Sequence, residues 1–148
     1  MPLGATIDHP ALGGRLNYEL TPVPDGGDNQ TAEVIRLMTG YVLDDYRSPA
    51  IQSDAREILA GCPAGSSTSQ WDLCQAVWAY VRERIRFSRD EQTARPIQEL
   101  YADPIVEVLS RPRDMSVLCQ SGRQCTRMGD CDDYSMWVAA LLLALGIR

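Results

Sequence analysis

A chain of 148 residues with 45% hydrophobic content can bury one core, and nothing in its length calls for a second domain. A formal charge of −6, from 20 acidic and 14 basic residues, leaves no basic face to neutralise phosphates and excludes a general nucleic-acid binder. Residues 1 to 25 have neither the basic start nor the apolar run of a secretory leader, and no stretch approaches the length of a bilayer span, so a soluble product made in a cytoplasm is expected.

Residues 1 to 30 are rich in Pro, Gly and Asp and keep no period for long, which reads as a flexible or loosely packed N-terminal arm before a domain over 31 to 148. Thr31 then caps a helix whose apolar residues Val34, Ile35, Leu37, Met38, Tyr41 and Val42 share one face, ending near Asp45. Ser48 and Pro49 give a cap and first turn for a second helix, carried by Ile51, Ala55, Ile58 and Leu59 and stopped at Gly61. After a loop over Cys62 to Thr68, Ser69 and Asp72 form a capping-box pair, and Leu73, Val77, Val81 and Ile85 repeat every four residues along a third helix. Its Trp71, Trp78 and Tyr80 are read as core, the usual place for large aromatics.

Pro96, Pro104 and Pro112 interrupt the stretch from 91 to 130, where Asp103 and Pro104 are expected to open one short helix through Leu109. The run Pro112 to Leu118 then leads towards the final helix, Ser135 to Leu145. Strands are scarce.

Chemistry concentrates in Met128-Gly129-Asp130-Cys131-Asp132-Asp133-Tyr134, directly before that last apolar helix. Asp130 is a good N-cap with Asp133 three residues on, so a capped helix start explains the carboxylates. It leaves the cysteine unexplained. A thiol on the first turn faces unpaired N–H groups and the positive end of the helix dipole, which favour thiolate, while carboxylates this close oppose it.

The Gly-Asp-Cys-Asp-Asp string, joined to an Ala/Leu-rich helix ending in Leu145-Gly146-Ile147 and preceded by Val81-Arg82-Glu83-Arg84-Ile85-Arg86-Phe87, resembles the transglutaminase-like superfamily of papain-like cysteine enzymes over residues 31 to 148. The resemblance implies an α+β papain-like core of which this chain is mainly the α-helical N-terminal part. It implies Cys131 as the thiol nucleophile, with its own N–H as one oxyanion donor and Gln124 or Gln120 as candidates for the second. Asp130, Asp132, Asp133 and Tyr134 fall to the pocket or the helix cap. In the family the triad's histidine and aspartate lie on strands after this helix. Because the chain stops at Arg148 and its only histidine is His9, it is expected to be truncated, holding the nucleophile without the base.

The order of elements looks most like transglutaminase-like proteins of tailed phages and prophages. That implies hydrolase or acyl-transfer chemistry through a thioester on a peptide or protein substrate, without a cofactor, in a virion or the cytoplasm of a bacterial host. The alternative is a non-catalytic assembly protein of a phage particle, bound to phage structural proteins or to itself through the face of helix 135 to 145, which would lack its covering sheet. Other readings compete. Cys119, Cys125 and Cys131 stand at even six-residue spacing, yet structural zinc wants closer cysteine pairs and a nearby histidine, and the aspartates lack the alternation of a calcium loop. With five cysteines at least one stays unpaired within the chain. If bridges form, Cys62 with Cys74 and Cys119 with Cys125 leave Cys131 free, whereas reduced thiols are the cytosolic default.

Overall fold

The computed structural model describes residues 5–6, 19–24, 30–62, 68–87, 105–120 and 127–148. Among these the chain is mainly helical with little strand, and no helix is long and apolar enough to cross a membrane. In order come β1 (Ala5–Thr6), β2 (Glu19–Pro24), α1 (Gln30–Asp45), α2 (Pro49–Ala60), α3 (Gln70–Arg84), β3 (Ile85–Phe87), β4 (Ile105–Ser110), α4 (Pro112–Gln120), β5 (Arg127–Gly129) and α5 (Cys131–Ala144).

The core forms around α5, whose Met136, Trp137, Ala140 and Leu141 are almost wholly buried at the three-to-four spacing of one helix face. Side chains the size of Met136 and Leu141 contribute about 1.5–3 kcal/mol each when removed from water. The four other described helices all pack on it, bringing Leu37, Ile51, Ile58, Val77 and Val81 into one cluster. The face of helix 135 to 145, expected to lack cover, is therefore largely covered by helices of the same chain. A buried hydrogen bond from Trp137 Nε1 to Ser116 Oγ, 2.9 Å long, ties α5 to α4.

Helix starts follow local chemistry. Ser48 caps α2 by accepting from the Ile51 N–H, and Pro49 sits in the first turn. The Ser69 and Asp72 capping box opens α3. Helix α1 begins at Gln30, which puts Thr31 inside the first turn and not at the cap.

The expected helix after Asp103 is a correction: Ile105–Ser110 is a strand. Ile105, Val106 and Val108 are β-branched, and β2 offers them an antiparallel partner in the register Leu20 to Ser110 and Thr21 to Leu109. Long-range pairing outweighs the turn signal that Pro104 gives. Both β1 and β2 fall in the segment read as an N-terminal arm, with the sheet ordered β1-β2-β4. Strand β1 reaches only Glu19 and Leu20, so Pro22 and Pro24 lie where β2 has a single described neighbour, the setting in which sheets tolerate proline. A second small sheet pairs β3 with β5 in parallel, Ile85 opposite Arg127 and Phe87 opposite Gly129.

One buried ion pair joins the sheet to the helices. Asp45, 1% exposed at the end of α1, accepts from Arg111 Nη2 at 2.6 Å and from Nε at 3.2 Å. The same carboxylate accepts the Arg113 backbone N–H at 3.2 Å, so it caps α4 from a distance, where Arg111 at the cap position has no side-chain acceptor to offer. The Arg111 guanidinium also stacks over the Tyr41 ring, 4.8 Å from its centroid. Breaking such a pair leaves a half-buried guanidinium without its nearest carboxylate and the Arg113 N–H without its acceptor. Asp45→Ala is therefore expected to cost about 3–5 kcal/mol, seen as a lower urea midpoint at unchanged slope.

Candidate active site

The parallel pairing of β3 with β5 positions the site. Strand β3 continues α3 and β5 runs into α5, so the stretch Val81 to Phe87 and the Gly-Asp-Cys-Asp-Asp string come to lie side by side. Asp130 then leaves the strand with extended backbone and caps α5: its Oδ1 accepts the Asp132 N–H at 3.1 Å. In return Asp133 Oδ2 accepts the Asp130 N–H at 3.3 Å, which completes a capping box. The other oxygen of Asp133 accepts the Ser110 N–H of β4 at 2.7 Å. Asp133 is 3% exposed and its carboxylate is spent on these two N–H groups, so it acts as a structural fastener.

Cys131 is the first residue of α5 and is exposed, not core. Its thiol donates to Asp132 Oδ1 at 3.8 Å, and its carbonyl accepts from Ser135 Oγ at 2.7 Å. Beside it opens a cavity of about 500 Å³ lined by Trp78, Arg82, Ile85, Asp130, Cys131, Tyr134 and Ser135. One wall is α3 and the other is the first turn of α5. The Tyr134 ring meets Trp78 edge-on, centroids 5.3 Å apart at 69°. The Tyr134 hydroxyl oxygen is buried and has no hydrogen-bond partner among the described residues. Burial raises its phenol above the ordinary tyrosine value, and the positive charge of Arg82 partly opposes that rise.

Two aromatics expected in the core stand outside it: Trp71 and Trp78 are 69% and 53% exposed, while Tyr80 is buried. Helix α3 buries only the side bearing Val77, Tyr80 and Val81, which turns Trp78 and Arg82 towards Cys131. Neither is read from the sequence as a site residue, although their spacing with Ile85, four and three residues apart, marks a common face. Of the two oxyanion candidates, Gln124 lies outside the described residues and Gln120 ends α4 with its side chain outside them. His9 and Cys125 also lie outside, as does the Cys119 side chain. Cys62 and Cys74 are free thiols, so the bridge between them considered from sequence is not made. Among the described residues no three His, Cys, Asp or Glu side chains gather as a metal site would need.

Comparisons with known proteins add no further constraint: no family model matches the chain, and no curated protein or solved structure matches it either.

The geometry separates fastening residues from groove residues by their response to substitution. Asp133→Ala leaves the Ser110 and Asp130 N–H groups without their acceptor, and thermal or urea unfolding should register a loss of about 1–3 kcal/mol. Tyr134→Phe removes a buried hydroxyl that has no partner among the described residues and should be neutral or slightly stabilising in the same assay.

Proposed function

We propose that the chain is a transglutaminase-like cysteine enzyme domain that forms a thioester between Cys131 and the acyl part of a peptide or protein amide. The observation that carries this reading is the exposed Cys131 thiol at the start of a buried helix, opening onto a cavity with aromatic walls. A buried Cys131 would have made it an ordinary small core residue. The place of the cysteine on the helix, the capped turn that fixes it and the neighbouring α3 edge all support a built groove.

In the reaction the Cys131 thiolate attacks the carbonyl carbon of the amide. A carbon–sulfur bond forms, negative charge collects on the carbonyl oxygen, and N–H groups of the first helical turn are placed to receive it. Collapse of this intermediate breaks the carbon–nitrogen bond, and the amine leaves with the proton that the Cys131 thiol gave up on ionising. Water or a second amine then attacks the thioester, takes the acyl group and returns the thiol. In the resting state the thiol proton points to Asp132. The histidine that the resemblance calls for is not among the described residues, since His9 lies outside them. A papain-like core, of which these helices form part, and a phage or prophage setting belong to the same proposal.

A second reading, a non-catalytic assembly protein, is favoured by one other feature. An apolar cavity of about 400 Å³ runs between α1 and α5, lined by Ile35, Met38, Val42, Leu43, Ala139 and Leu143 among others, and Ile35 and Leu43 are each 57% exposed. A small activated ester discriminates the two. With p-nitrophenyl acetate, an acyl-transfer site gives a rapid burst of p-nitrophenolate and an acetyl group found on the Cys131 peptide by mass spectrometry. Cys131→Ala should lose both while costing less than about 0.5 kcal/mol of stability, because the side chain is exposed. Acetylation spread evenly over Cys62, Cys74 and Cys131 would favour the assembly reading.

A further inference from the structure

Among the described residues that line the groove beside Cys131, Arg82 is the cation, and its placement bears on what the site accepts. Arg82 stands one helical turn beyond Trp78 and one before Ile85, on the exposed face of α3 that forms the groove wall. Among the described residues it makes no ion pair, whereas Arg36, Arg84, Arg111 and Arg113 each meet a carboxylate. The carboxylates nearest the thiol are already engaged: Asp130 accepts the Asp132 N–H and Asp132 accepts the thiol. Arg82 also lies close enough for its charge to act on the Tyr134 phenol, one turn along α5 from Cys131. The guanidinium and the thiol thus border the same cavity, with Trp78 and Tyr134 in edge-on contact beside them.

We propose that Arg82 selects acyl donors carrying a carboxylate next to the scissile amide, with Trp78 and Tyr134 holding the adjoining apolar part. This rests on Cys131 being the nucleophile. Two facts point to an anion and not to a neutral peptide. A guanidinium with no ion pair among the described residues presents a planar fork of donors suited to bidentate contact with a carboxylate. The protein is acidic overall, at −6, and Asp130 and Asp132 flank the thiol, so a negatively charged donor is repelled from this groove unless a dedicated cation receives it.

The test uses two matched thiol reagents, N-iodoacetyl-glutamic acid α-amide and N-iodoacetyl-glutamine α-amide, which differ by one side-chain charge. In each, the thiolate attacks the methylene carbon, a carbon–sulfur bond forms and iodide leaves, so the readout needs no general base and no turnover. Rates are followed on each cysteine-containing peptide, with Cys62 and Cys74 as internal references. The expected result is a preference of about three- to tenfold for the glutamic acid reagent at Cys131, absent at the references. It should vanish in Arg82→Gln, survive in part in Arg82→Lys, and shrink at high salt. Arg82 is exposed, so neither variant threatens the fold. Equal rates for the two reagents at a fast-labelling Cys131, or a preference unchanged in Arg82→Gln, would overturn the selection by Arg82 and leave the nucleophile in place. A Cys131 slower than both references with both reagents would remove the nucleophile, and this proposal with it.

Discussion

The carboxylate of Asp133 is the point on which the rest of the structure turns. Its two oxygens accept one N–H from the last residue of β4 and one from the cap of α5, so one buried group fixes the start of the central helix against the sheet. A helix whose interior face is Met136, Trp137, Ala140 and Leu141 would pack somewhere in any collapsed state, since burial of apolar area is not directional. What the hydrogen bonds add is register. They set which turn of α5 stands at the surface and so where Cys131 is displayed.

Asp45 does the corresponding work just past the same end of β4, at Arg111 and Arg113. It holds Arg111 and caps α4, while Trp137 bonds to Ser116 within that helix. Buried ionic and polar contacts of this kind add little net stability, because desolvation offsets most of the attraction, but a mispaired alternative leaves a bare charge in the core. The groove beside Cys131 is a by-product of these constraints. Once α5 is fixed by Asp133 and α3 is led by β3 along β5, the exposed side of α3 and the first turn of α5 face one another across open space.

Much of this was legible in the sequence where the determinants are local. The caps at Ser48, Ser69 and Asp130 each accept a backbone N–H within three residues; α2 and α3 begin where the sequence places them, while α5 starts directly after its cap at Cys131, four residues before the expected apolar run from Ser135. Ile105–Ser110 was not legible as a strand, because its partner Glu19–Pro24 lies far away in the chain and is itself broken by two prolines. Burial of α3 was misread for a related reason. Its apolar residues ring the helix, so periodicity alone could not tell whether Trp78 or Val77 faces the core. Of the candidate site, Cys131 and its capping aspartates were visible as a motif. Arg82 and Trp78 were not, because only the packing of α3 on α5 brings them to the thiol.

The measurement that bears most directly on the role of Cys131 is the rate of iodoacetamide labelling of each cysteine as a function of pH, resolved by peptide mass spectrometry. A nucleophile at the start of α5 labels faster than Cys62 and Cys74, with an apparent pKa below the ~8.5 of a free thiol. A Cys131 that labels no faster than those two thiols, with an ordinary titration, would contradict the proposal that this groove is a site of acyl transfer.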